Sequence, residues 1–287
     1  MSEKITSSFS FQERFTVFYH SLFDFPLKKE ELKKWLFGKG VNFKSNRIPK
    51  VDFKDSFYFL KGKESQIKKR REREKISNFK MQIAIKAAKI LSFLPTIKMV
   101  GITGSLAMKN TDLNSDIDLM IITRSGFLWI SRLLAILVLK LAGFKIRKHG
   151  DKDTRDKLCL NMWIDESDLV WQNKNLFSAH EIAQVIPLIN RDNVYENFLS
   201  YNQWILDFWP NSVSISARFK NKGISFIDNV LFCVFGLFEI LAYISQRLYM
   251  KGKITREVVS YRRAVFHPVN LDLLISKKLK EVLMIEE

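Results

Sequence analysis

Between Val100 and Ile122 the chain reads VGITGSLAMKNTDLNSDIDLMII, and four of its residues have the types and spacing for phosphate and metal chemistry. Asp116 and Asp118 stand one residue apart at the start of an apolar run, and the period of two in a strand puts both on one side. Carboxylates that close repel each other unless a cation lies between them, and Mg²⁺ takes oxygen donors of this kind. Upstream, Gly104 and Ser105 follow directly on a second apolar run, Ile97 to Thr103. A glycine there lets the backbone approach a ligand, and a turn opening a helix offers N–H groups to phosphate oxygens, with the Ser105 hydroxyl beside them. A phosphate cradle and a metal pair together are what phosphoryl transfer requires.

The elements that position these residues follow from the apolar spacing. Phe79 to Leu94 carries a helical stripe (Ile83, Ala87, Ile90, Leu91, Leu94) ended by Pro95. Ile97 to Thr103 reads as a strand running into Gly104, and Lys157 to Asp165, KLCLNMWID, as a later strand whose alternation puts Cys159, Asn161, Trp163 and Asp165 on one side. Before them, Phe11 to Phe37 predicts a helix, a turn near Pro26 and a second helix, and VDFKDSFYFLKGK predicts a hairpin turning at Lys54, Asp55 and Ser56. Helices followed by a hairpin suggest a winged-helix-like module or a helical cap on the next domain. The segment Lys61 to Ser77 is dense in charge and marks a domain boundary. Its cluster Lys68, Lys69, Arg70, Arg71 and Arg73 reads either as a solvated helix face or as a phosphate-backbone contact.

Bulk properties limit the function classes. At 287 residues and 47% hydrophobic composition the chain can bury a good core, and its net charge of +17 favours an anionic partner. Cys159 and Cys233 both lie in apolar runs, which argues against a disulfide scaffold. The four histidines, His180 and His267 among them, show no zinc-ligand spacing. MSEKITSSFSF lacks the basic start and apolar core of a signal peptide, so a cytoplasmic location is expected. Two greasy segments, Phe127 to Phe144 and Val230 to Ser245, carry Arg132, Lys140 and Glu239; they are expected as buried helices, and membrane association is not expected. Trp204 and Trp209, at a helix end before Pro210, read as core packing.

The Gly-Ser pair, the spacer and Asp-x-Asp in strand context resemble the signature of the DNA polymerase β superfamily of nucleotidyltransferases over Ile97 to Thr123. The segments DFPLKKEELKKWL, FYFLKGK, SDIDLMIIT, LCLNMWIDES and AHEIAQVIPL also resemble bacterial proteins joining a winged-helix-like part to this domain. The resemblance implies an α+β fold: a winged-helix-like module (residues 1–76), a nucleotidyltransferase domain with a mixed sheet and flanking helices (77–172), and a C-terminal helical domain (173–287). It further implies Mg²⁺-dependent transfer of a nucleoside monophosphate from a triphosphate, with ATP as the expected donor, to a hydroxyl acceptor. Gly104 and Ser105 would hold phosphates, and Asp116 and Asp118 the metal.

Members of the superfamily place a third carboxylate on a later strand. The matching position here is Asn161, which carries no charge and accepts no proton at neutral pH, and Asp165 is the alternative on the same expected side. Asp151, Asp153 and Asp156 read as loop charges. A catalytically silent nucleotide- and nucleic-acid-binding protein is therefore the competing expectation, with RNA or DNA meeting the basic N-terminal region. Arg247, Lys251, Lys253, Arg256, Arg262 and Arg263 are further candidates to touch triphosphate or nucleic acid.

Overall fold

The computed structural model describes residues 9–38, 48–215, 226–252, 258–266 and 271–283; Lys253, Arg256 and His267 lie outside them. α1 (Phe11–Ser21) opens on a capping box: the Ser10 hydroxyl accepts from the Glu13 N–H at 3.2 Å, and the Glu13 carboxylate accepts from the Ser10 N–H at 2.8 Å. Two donors that a helix start leaves unpaired are thus satisfied. α2 (Lys29–Lys34) follows, then an antiparallel hairpin of β1 (Val51–Lys54) and β2 (Phe57–Leu60). Its turn residues Asp55 and Ser56 have φ of 52° and 68°, the primed turn whose twist suits the flanking strands.

α3 (Ser65–Leu91) is one helix, joining the charged run to the apolar-striped segment, so the boundary expected after residue 76 falls inside it. Nothing between Ser65 and Leu91 breaks a helix, since the segment contains neither Gly nor Pro. Much of its charge is engaged within the fold. The buried Arg70 bonds Glu31 at 2.7 Å and Glu74 at 2.8 Å and lies 3.7 Å over the Phe25 ring. Arg71 pairs with Asp55 and Lys69 with Asp24, while Arg73 donates to the Phe23 carbonyl. These contacts clamp α3 to the N-terminal elements.

The central sheet has six strands: β3 (Ile97–Ile102), β4 (Ile117–Thr123), β5 (Leu158–Asp165), β6 (Ile186–Asn190), β7 (Val258–Val259) and β8 (Arg263–Val265), in the order β6-β3-β4-β5-β8-β7. Among the described strands, only β4 and β5 pair in parallel. The described helices that flank it after α3 are α4 (Gly104–Ala107), α5 (Leu128–Leu141), α6 (Leu176–Ala183), α7 (Val194–Tyr201), α8 (Ile205–Phe208), α9 (Phe226–Met250) and α10 (Leu271–Leu283). Met99, Met120, Ile122, Met162 and Ile164 of one sheet face join Phe15, Tyr19, Trp35, Phe198 and Trp209 in one core. Val100, Ile102, Leu119, Ile121 and Trp163 of the other face pack with Ala84, Ala88, Leu91, Trp129 and Leu139. The N-terminal helices therefore share their core with the sheet. Trp209, fully buried, packs there as expected, and Trp204 is partly buried against the same core.

Two expectations need correction. The chain after residue 172, expected to be helical, supplies three of the six strands. β7 and β8 are only two and three residues long, too short for alternation to register. β6 contains Pro187, which reads as a helix stop but is tolerated because β6 lies at a sheet edge. The greasy segments form α5 and α9 as expected, yet they are not buried all round. They pack on each other through the buried Glu239, whose carboxylate accepts the Trp129 and Ile130 N–H groups at 2.7 and 2.8 Å and so caps α5. Leu134, Leu137 and Leu141 on α5 and Leu237, Leu241 and Leu248 on α9 face outward. Among the described residues, no helix is long and apolar enough to cross a membrane.

Candidate active site at one end of the sheet

Antiparallel pairing of β3 with β4 and parallel pairing of β4 with β5 bring the end of β3 and the starts of β4 and β5 to one edge. Gly104 and Ser105, Asp116 and Asp118, and Cys159 and Asn161 converge there. Gly104 has φ of +61°, and a Cβ on it would lie 2.7 Å from Asp118 Oδ2. A carboxylate abuts the backbone at that point, so only glycine fits without displacement. The loop before Asp116 is pinned from below by the fully buried Lys80 of α3, whose ammonium donates to the carbonyls of Leu113 (3.1 Å) and Ser115 (2.5 Å) and pairs with Asp156 at 2.9 Å.

Donor atoms of Asp116, Asp118 and Cys159 all lie within 4.8 Å of one another. Burial, reinforced by the neighbouring Asp116 charge, pushes the Asp118 carboxyl up to about 7. Burial and the same two carboxylates push the Cys159 thiol up, which keeps it protonated and removes it as a thiolate ligand. Asn161 donates from Nδ2 to Asp118 Oδ1 at 2.8 Å, while its own buried Oδ1 has no hydrogen-bond partner. Two crowded carboxylates offer hard oxygen donors that could hold a divalent cation. Arg147, from the segment between α5 and β5, donates to Asp116 Oδ2 at 2.5 Å and supplies the local positive charge.

Asp165 lies elsewhere. A register irregularity in the β4–β5 pairing follows Asp118–Cys159, so that Met120 pairs with Met162 rather than with residue 161. One extra residue on β5 reverses the alternation: Cys159 and Asn161 look into the site, whereas Trp163 packs in the core on the other sheet face. Asp165 accepts from the Gly126 N–H at 2.7 Å and from Ser167, holding the loop after β4. Arg263 is also structural, nearly buried and bonded to Asp168 and to the Val170 carbonyl. Arg247 donates to the Tyr243 hydroxyl.

The site opens into a cavity of about 1280 Å³. One lobe, between α1 and α6, is lined by His20, Phe23, Phe25, Phe177, His180 and Glu181; the other runs between α5 and α9. Glu181 was not singled out by sequence reading. A lone acid in the apolar helix LFSAHEIA is the signal that marks it. Burial, then the Asp118 charge, raises its carboxyl to about 7, and Gln184 donates to it at 2.6 Å.

His20 and His180 meet through their Nε2 atoms at 3.2 Å, and burial lowers both, His20 to about 4. A histidine held neutral in the fold contributes stability that is complete above its unfolded pKa near 6.5 and is lost as pH falls toward the folded value. Asp118, Glu181 and Glu239 act in the opposite direction over part of this range, because their raised carboxyls take up protons in the fold. The prediction is therefore a difference. Between pH 6.5 and 5, wild type should lose stability relative to a His20→Gln, His180→Gln variant by up to about 1.4 kcal/mol per pH unit per histidine. Denaturant melts of both proteins across that window check it, and parallel curves would remove the histidines from the acid response.

Comparison of the chain with protein-family models, curated proteins and solved structures gives no match.

Proposed function

We propose that the protein is a nucleotidyltransferase of the polymerase β type, moving a nucleoside monophosphate from a nucleoside triphosphate, with ATP as the expected donor, to a hydroxyl acceptor. The observation that carries this reading is the convergence of Gly104–Ser105, Asp118 and Asn161 on one large cavity at one sheet end, with the Asp116 carboxylate beside Asp118. Asp116, Asp118 and the free Asn161 oxygen would hold Mg²⁺, which when bound neutralises phosphate charge and fixes in-line geometry. The backbone of Gly104 and the Ser105 hydroxyl would orient phosphate oxygens, with Arg147 beside them.

Glu181 takes the role for which sequence reading left only Asn161 or Asp165. It lines the same cavity as Asp118, and a carboxyl raised to about 7 is suited to accept the hydroxyl proton of an acceptor near neutral pH. Glu181→Gln should lower turnover by about a hundredfold or more while leaving triphosphate affinity within about twofold. A parallel loss of affinity would instead make Glu181 part of the binding site.

Asn161, in place of a third acid, supports a second reading in which the site binds nucleotide without turnover. Calorimetric titration with each of the four ribonucleoside triphosphates, with and without Mg²⁺, tests the shared part of both readings. Metal-dependent binding supports a live site. No binding by the wild type overturns both.

A further inference from the structure

The lobe of the cavity between α5 and α9 differs in kind from the rest. Leu133, Ile136, Tyr249, Met250 and Phe266 line it, and Leu133 and Tyr249 are also 42% and 72% exposed, so the lobe opens to the outside between these helices. The outward side chains on either side are apolar, with Leu134 and Leu137 on α5 and Leu241 and Leu248 on α9.

Two cations also line this lobe, the exposed Lys140 of α5 and Arg132. Arg132 lines the cavity, with its guanidinium 5.1 Å over the Phe266 ring and one Nη donating to Gln246 at 2.6 Å. Its buried Nε has no hydrogen-bond partner. Burial alone lowers a guanidinium that would ordinarily be invariant, to about 10. Gln246 cannot turn further toward it, because its Nε2 is committed to the Trp129 and Ala242 carbonyls. The lobe is continuous with the Asp118–Asn161 end of the sheet, since Arg132, Phe266, Asp118 and Asn161 all line the one cavity, and the Phe266 N–H donates to the Asn161 carbonyl at 2.8 Å. A desolvated guanidinium with an unused donor, at the inner end of an apolar channel, is a receptor for an anion that carries an alkyl chain.

We propose that the α5–α9 lobe binds an anionic amphiphile, its acidic head group on Arg132 and its chain along Leu133, Ile136, Tyr249 and Met250, and that this amphiphile is the acceptor. The assignment as acceptor rests on the nucleotidyltransferase reading; the binding site itself does not. In the transfer step a head-group hydroxyl oxygen bonds to the α-phosphorus, the bond from that phosphorus to the bridging oxygen breaks, pyrophosphate leaves with the electron pair, and the hydroxyl proton passes to Glu181.

The test uses the full chain and calorimetry with three probes: decyl phosphate below its micelle concentration, inorganic phosphate, and decyl maltoside as a neutral amphiphile. Decyl phosphate should bind at least about tenfold more tightly than either of the others, since it alone offers both chain and charge. Arg132→Gln should cost about tenfold or more in decyl phosphate affinity. Leu133→Glu, at an exposed position on the channel wall, should do the same and keeps the test valid if the arginine variant fails to fold. Equal affinity for decyl phosphate and inorganic phosphate, or for the two amphiphiles, overturns the site. If that happens while triphosphate binding remains metal-dependent, the amphiphile is lost and the nucleotidyltransferase reading stands.

Discussion

Asp118→Asn is expected to lower Mg²⁺-dependent nucleotidyl transfer by about a thousandfold, equivalent to about 4 kcal/mol of transition-state stabilisation. The substitution keeps the shape of the side chain and its capacity to accept from Asn161 Nδ2, but removes the charge that the donor set offers to a cation. Stability should move the other way. The Asp118 carboxyl is raised by burial and by Asp116, so the metal-free fold holds it ionised at a cost at pH above about 7. That cost disappears as pH falls toward the unfolded carboxyl range, where both states are protonated. The variant should therefore melt above wild type at pH 8 without metal and converge with it near pH 4. A single series of melts and one transfer assay check both halves. Transfer that is unchanged in the variant would end the proposed mechanism.

The second large effect is structural. Arg70→Ala should destabilise the protein by about 3 kcal/mol, because it takes the buried cation from Glu31, leaves Glu74 with Lys28 alone, and removes the guanidinium stacked on Phe25. The figure lies at the lower end of the range for broken buried pairs, since Glu31 and Glu74 keep 27% and 24% of their side-chain surface in solvent. Lys68→Ala, two residues away on the exposed side of the same helix, should stay within about 0.5 kcal/mol. Urea denaturation of the two variants separates them. A cost below about 1 kcal/mol for Arg70 would mean that α3 is not clamped to the N-terminal elements. Its basic cluster would then be free to act as a phosphate-contact face, as the charge run by itself suggests.

Arg70 also shows why charge patterning could not be converted into a partner. Five basic residues clustered between Lys68 and Arg73 are compatible with nucleic acid, but their acidic complements, Asp24, Glu31 and Asp55, lie 16 to 45 positions away in sequence. Only folding reveals that they meet. In the same way, α5 and α9 are legible as apolar helices from composition. Which of their faces the sheet covers depends on the neighbours, and the answer left an apolar channel with Arg132 in it.

What the sequence determined by itself is local. Alternation and turn chemistry are enough for the hairpin at Asp55–Ser56, for β3 running into Gly104, and for Asp116, just before β4, beside Asp118 within it, because period-two geometry and glycine's freedom act over a few residues. The tertiary structure alone decided the rest of the site. A single extra residue in β5 keeps Asn161 beside Asp118 and carries Asp165 away to Gly126. The antiparallel pairing of β6 with β3 brings α6, and with it Glu181, to the end of the sheet where Asp118 lies. A bulge reverses every later side chain, and a strand partner 84 to 91 positions distant has no local signature, so neither contribution could be read before the chain was folded.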